Sequence, residues 1–268
     1  MKNFELWKLR KKNFAILLKN SFLIFALFFT TVLLSCSDDE ATKKNYILIY
    51  DGSVADPYGV EAVANLVTEL GYEVEYISNL NNLTDYLSGA KAFVIGGTQG
   101  NTGDILDDLS GVKNDLTDYL ENGGRYLGIC GGAYIASKGS QWDDGYEEGL
   151  SLVDAESFLF DPTYGDSQII MVSWLGVQRS IYYLNGPAFA EADLPAEAHI
   201  LAHYSDANNS VAAFVAPYGN GKIALCGPHP EADDTWLIDD PTPLNADTWT
   251  PTKDLFIAML NELLADSK

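Results

Sequence analysis

The chain is short of positive charge. Its 268 residues hold 16 Lys and Arg against 38 Asp and Glu, a formal net charge of −22. That balance excludes a nucleic-acid binder, because phosphate backbones need Lys and Arg partners. It offers no attraction to anionic headgroups and repels anionic substrates at long range. Cysteine is scarce too, with three residues in all, too few for a disulfide framework. The apolar run over residues 21–34 has 14 residues, short of the roughly 20 that cross a bilayer comfortably. There is no internal repeat and no low-complexity tract. The Gly96-Gly97-Thr98-Gln99-Gly100 loop lacks the Gly-Lys-Ser/Thr ending of a phosphate-binding loop. His199 and His203 are four apart with Asp206 after them, but on a strand they stand about 13 Å apart. No metal and no cofactor is therefore expected.

The amino terminus is a targeting segment. Lys2, Lys8, Arg10, Lys11, Lys12 and Lys19 precede or enter the apolar run, which ends Leu33-Leu34-Ser35-Cys36. That ending resembles a bacterial lipobox, which makes residues 1–35 a lipoprotein signal peptide and Cys36 the lipidated residue. The alternative is an uncleaved anchor helix. Residues 36–44 form an acidic tether, and Ser37-Asp38-Asp39-Glu40 resembles the one found in Bacteroidetes-type lipoproteins sent to the cell surface. A solvated linker has the same composition. Six basic residues and one acidic residue precede Cys36, so the chain from there on carries −27. The expected location is the outer membrane or cell surface, with membrane contact through the lipid alone.

Residues 45–268 suit one α/β domain. Strands are expected over 45–50, 72–77, 92–95 and 125–129. Helices are expected over 57–70 (closed by Gly71), 80–87 and 112–120, with a further helical start at 133–137. Such alternation predicts a doubly wound, mostly parallel, flavodoxin-like sheet. After Gly145 the strand-like runs 151–160, 169–174, 181–184, 199–204 and 211–216 follow without helices, predicting an antiparallel β extension. The Tyr218-Gly219-Asn220-Gly221 turn leads back to the core at 222–226. Helix 254–264, with Thr252 as N-cap, closes the chain. The acidic, Pro-rich stretch 231–251 reads as a long surface loop near the site.

Two peptides carry chemistry. Gly128-Ile129-Cys130-Gly131-Gly132-Ala133-Tyr134 places a cysteine between a strand and a helix, flanked by glycines. This is the thiol form of a nucleophile elbow, with the sulfur at a helix N-terminus that favours thiolate. Later comes Gly227-Pro228-His229-Pro230-Glu231, with a base and an orienting carboxylate two apart. Alone, the first reads as a buried thiol and the second as a turn. Together they predict a Cys130-His229-Glu231 triad. Cys226 lies in a buried-strand pattern, and a Cys130–Cys226 bridge would occupy the nucleophile, so two free thiols are expected. Asp51 either bonds a polar ligand or caps the 53–58 turn, and the cap is the preferred reading.

These motifs resemble the class I glutamine amidotransferase-like superfamily, whose triad is Cys, His and Glu. Gly-Ile-Cys-Gly-Gly-Ala-Tyr, the Gly-Pro-His-Pro-Glu ending and Tyr183-Leu184-Asn185-Gly186-Pro187 fit its biotin-protein ligase N-terminal-like branch, over about residues 45–231. The resemblance implies an oxyanion hole from the Gly97 and Gly131 amides and a substrate pocket lined by Tyr134, Asn185 and Gly186. Asn185 equally suits a turn, and Gly96-Gly97 a plain tight turn. Glutamine-hydrolysing members carry a Leu-Gly-His-Gln-type run after the cysteine, where this chain has Gly131-Gly132-Ala133-Tyr134. Glutamine is therefore not implied as the substrate. No ligase catalytic domain is expected after the matched region, and biotin transfer is not implied. The expected function is a lipid-anchored thiol hydrolase, amidotransferase-like, acting on a small amide or peptide through a thioester. The alternative is a non-catalytic ligand-binding surface lipoprotein that keeps the pocket. An unidentified protein partner that activates the cysteine is a third reading.

Overall fold

A computed structural model of the chain describes residues 45–99, 102–142, 145–161, 165, 167–206, 208–239 and 249–266. The expected signal peptide, Cys36 and the acidic tether lie outside the described residues.

The first strand, β1 (Tyr46–Tyr50), is buried along its whole length. Ile47 and Ile49 enter one core, and Tyr46, Leu48 and Tyr50 the other. An unbroken apolar strand needs cover on both faces. Helix α1 (Pro57–Glu69) starts at Asp56, whose carboxylate accepts from the Gly59 amide at 3.0 Å. Asp56, not Asp51, is thus the cap here. Asp51 is exposed and its amide donates to Ile77 O. Gly71 takes φ +86 just past the helix, the left-handed stop that glycine allows.

The alternation continues through β2 (Glu73–Ile77), a 3-10 turn at Leu80–Asn82, α2 (Leu83–Leu87), β3 (Ala90–Ile95), α3 (Gly103–Ser110), α4 (Lys113–Glu121), β4 (Arg125–Ile129) and α5 (Gly131–Ala136). Then follow β5 (Gly139–Trp142), β6 (Gly145–Glu148), β7 (Ser157–Leu159), β8 (Gln168–Trp174), β9 (Val177–Tyr183), β10 (Pro187–Phe189), β11 (His199–Tyr204), β12 (Val211–Tyr218) and β13 (Gly221–Cys226). A short α6 (Trp236–Asp239) and α7 (Lys253–Leu264) complete the described elements.

The central strands lie parallel in the order β2-β1-β3-β4-β13. Helices α1 and α7 cover one face, and α2 to α5 the other. This is the doubly wound α/β fold that the alternation predicts. From β13 the sheet turns antiparallel: β12 folds back through Gly219-Asn220, then pairs on its far side with both β10 and β11. One branch runs β10-β7-β5-β6 and the other β11-β8-β9. The carboxyl end of α7 is tied to the sheet. Buried Arg125 donates from Nε to Leu263 O at 2.8 Å, and Lys222 Nζ reaches Glu262 O and Ala265 O at 3.0 and 2.9 Å. Cations suit that end of a helix.

Several expectations need correction. The strand expected over 151–160 is confined to Ser157–Leu159. The amides of Leu150, Ser151 and Val153 go instead to the carbonyls of Ile135, Ser137 and Ala136. Those carbonyls would otherwise be orphaned where α5 ends. Helix α3 lies outside the expected elements, because it buries only Ile105 and Leu109 among acidic neighbours. The β5–β6 hairpin also lies outside the expected strands, because its sequences lack an apolar alternation. Thr252 stands at the N-cap of α7, but its hydroxyl bonds Pro230 O at 3.3 Å rather than the helix. The 231–251 stretch is not a surface loop throughout: Ala232, Trp236 and Trp249 are buried against Ala62, Ile169 and Tyr182. Its residues 240–248 lie outside the described residues.

Candidate active site

The carboxyl ends of β3, β4 and β13 are neighbours, and each leads into one expected part of the site. Ligands in such sheets bind at these ends.

Cys130 joins β4 to α5 with φ 50 and ψ −105. An L-residue held there stores about 1–3 kcal/mol of strain, and its surroundings must fix it. They do so by hydrogen bonds. The Cys130 amide donates to Cys226 O at 2.8 Å, and its carbonyl accepts from Ala133 and Tyr134 at 3.0 and 3.2 Å. The following glycines are required by space. A Cβ on Gly131 would sit 2.4 Å from Thr98 Oγ1, and one on Gly132 would sit 2.0 Å from Ile95 O.

His229 and Glu231 are buried just after β13. The His229 amide donates to Tyr182 O at 2.8 Å, and Nδ1 lies 2.9 Å from Glu231 Oε1. With Nδ1 committed to the carboxylate, Nε2 is the ring nitrogen left to face Cys130. Burial by itself pulls the His229 pKa down. The Glu231 carboxylate and Cys130 together outweigh it and hold the imidazole well above its ordinary value. Cys226 behaves differently: burial first, then the nearby Glu231 and Cys130, push its thiol well up. Both cysteines are free.

Gly97 borders the same space, since a Cβ there would approach His229 Cε1 to 3.1 Å. Among the described residues, the amides of Gly97 and Gly131 donate no hydrogen bond to protein. Tyr134 Oη donates to Asn185 O at 3.0 Å, and its ring packs 4.9 Å from Trp142. Asn185 has φ 53, a turn conformation. Gly186 lies at a backbone crossing, where a Cβ would stand 2.0 Å from Gly227 O. The Leu184 carbonyl, 3.4 Å from Cys130 Sγ, and the Trp236 ring, centred 5.0 Å from that of His229, were not foreseen. Neither has a sequence signal, since both depend on how distant segments pack. His203 pairs with Glu191 at 3.3 Å and His199 with Glu262, on separate elements. Among the described residues no group of three or more ligating side chains gathers.

A thiol beside an imidazole, the imidazole oriented by a carboxylate, and two amides nearby make an arrangement suited to acyl transfer.

Comparison with known proteins agrees with this architecture. The family model described as "Biotin-protein ligase, N terminal" matches residues 45–162 and 167–253. A biotin–protein ligase of Schizosaccharomyces pombe is 28% identical over 143 residues, which cover 45% of this chain and 22% of that protein. The chain therefore spans under a quarter of that relative. Among solved structures, a glutamine amidotransferase superposes with TM-score 0.56 at 17% identity, covering 81% of this chain and 98% of that one. A glutamine amidotransferase from Thermotoga maritima gives TM-score 0.56 at 14% identity, covering 83% and 99%. At such identity the likeness is one of fold.

Proposed function

The chain belongs to the biotin-protein ligase N-terminal family, and from that premise we propose that it is a thiol hydrolase of glutamine amidotransferase-like type. It acts on a small amide or peptide through a thioester at Cys130, and Cys36 anchors it by lipid to the outer membrane or cell surface. The observation that carries this reading is the buried His229–Glu231 hydrogen bond at 2.9 Å, set beside Cys130 by the Cys130–Cys226 backbone bond.

In the proposed cycle His229 Nε2 takes the thiol proton, and the sulfur attacks the carbonyl carbon. The oxygen, now negative, accepts from the Gly97 and Gly131 amides. Donors placed in this way stabilise such oxyanions by roughly 3–4 kcal/mol each. The C–N bond then breaks, His229 gives its proton to the leaving amine, and a thioester remains. Water resolves it with the same imidazole as base. Glu231 holds Nδ1–H and so fixes the reacting tautomer. Tyr134 and Asn185 border the substrate. Biotin transfer is no part of the proposal.

One observation favours a second reading, a non-catalytic ligand-binding lipoprotein. The Cys130 thiol donates to Leu184 O at 3.4 Å, which points its single proton at a carbonyl and away from the base. The pH dependence of Cys130 alkylation separates the two, read by mass spectrometry with Cys226 as internal control. The hydrolase reading expects rapid labelling below pH 7 that slows in His229→Ala. Labelling no faster than an ordinary thiol, and unchanged in the variant, would leave the binding reading. Rapid labelling with turnover only in cell extracts would point to an activating protein partner.

A further inference from the structure

The His229 ring is held by packing as well as by its hydrogen bond to Glu231. Nδ1 meets Glu231 at 2.9 Å, and Cε1 faces Gly97. Trp236 packs on the ring with centroids 5.0 Å apart and planes inclined at 54°. Tyr182 meets it edge-on at 6.0 Å and 79°, and also packs on Trp236 at 5.1 Å. Trp249 touches Tyr182 at 6.1 Å. Trp236 is buried, though it comes from the acidic stretch that the sequence suggests is exposed. The titratable groups around the imidazole are Glu231, Cys130, the Cys226 thiol, the Asp56 carboxylate across Gly97 and the Tyr182 phenol. Asp233 and Asp234 precede Trp236 on its own segment.

We propose that Trp236 is a positioning residue for the Cys130–His229 pair: backed by Tyr182, its indole packs the imidazole against Gly97 and keeps Nε2 directed at the sulfur. A single hydrogen bond to Glu231 leaves the ring free to swing about that bond, and a flat apolar neighbour removes the swing. Misplacement by about 1 Å costs on the order of a hundredfold in a reacting pair. The inference rests on Cys130 acting as the proposed nucleophile.

The test is the Cys130 alkylation rate against pH in the full chain, in Trp236→Leu, Trp236→Phe and Trp249→Leu. Trp249 shares the aromatic cluster through Tyr182 but no ring contact joins it to His229, so it controls for loss of packing alone. Trp236→Leu is expected to slow labelling at pH 6 by roughly ten- to a hundredfold. Trp236→Phe recovers most of the rate, and Trp249→Leu stays within about twofold of wild type. Equal losses in Trp236→Leu and Trp249→Leu would overturn the assignment, as would wild-type labelling in a folded Trp236→Leu. If wild-type Cys130 itself labels like an ordinary thiol, the hydrolase reading fails first and the positioning role falls with it. A fast wild type with an unaffected Trp236→Leu removes only the positioning role.

Discussion

The Cys130 amide donates to the Cys226 carbonyl at 2.8 Å, which joins the end of β4 to the end of β13 where both site loops begin. Three residues beyond Cys226 stands His229. One backbone bond between neighbouring parallel strands thus sets how far the thiol lies from the imidazole. The paired residues of the two strands are 97 positions apart in sequence, and their register (Ile129 opposite Cys226) is what makes the two peptides meet.

Replacing Glu231 with Gln should change how stability depends on pH. The folded-state pKa of His229 is raised above 6.5, so its protonation contributes stability that is fully present below about pH 6.5. That stability is lost as pH rises through the folded value. Wild-type protein should therefore lose stability from near neutrality upward, and Glu231→Gln should show a shallower loss over the same range. Urea denaturation in steps from pH 6 to 9 reads both slopes. Parallel slopes would mean that Glu231 is not what raises the His229 pKa.

Gly186→Ala should destabilise the fold without touching a reacting group. The new Cβ would stand 2.0 Å from Gly227 O, backbone against backbone, so neither side can rotate away. The expected cost is about 2–4 kcal/mol, measured as a fall in the urea midpoint at constant slope. A cost below about 0.5 kcal/mol would show that the crossing relaxes freely.

Arg125 and Lys222 both serve the carboxyl end of α7, but from different surroundings. Arg125 is buried with its Nε on Leu263 O at 2.8 Å, while Lys222 is half-exposed. Arg125→Met should cost roughly 2–3 kcal/mol through the stranded carbonyls, and Lys222→Met under about 1 kcal/mol. Hydrogen exchange should localise the loss to the last turn of α7. Equal costs would contradict the burial difference.

Cys36→Ser tests the proposed anchor. Expressed in a bacterium with its leader, the wild-type chain should sediment with membranes and leave them only in detergent, and the variant should be soluble. Salt washing should not release the wild type, since a body of −27 beyond residue 35 has no attraction to anionic lipid that salt could screen. Wild type found in the soluble fraction would remove the anchor from the proposal.

The sequence by itself determined the layer architecture. Continuous apolar runs such as Tyr46–Tyr50 have no solution except burial on both faces. Helical apolar spacing between them then forces crossovers on both sides, as the packing of α1 and α4 confirms. The positions of Cys130, His229 and Glu231 were legible as well, because a glycine-flanked elbow and a short loop after a buried strand are local features.

Elements held by few apolar contacts were not legible. Helix α3 buries two side chains among acidic ones, and the Leu150–Val153 segment is fixed by bonds to the end of α5 rather than by its own pattern. Only the tertiary structure decided what surrounds the imidazole. Tyr182, Gly97 and Trp236 lie far apart in the chain and meet because β9 bridges the His229 loop while Trp236 packs on both. Periodicity reports which side of an element is buried. It does not report which distant side chain becomes the neighbour, because that follows from strand order and register across the whole sheet.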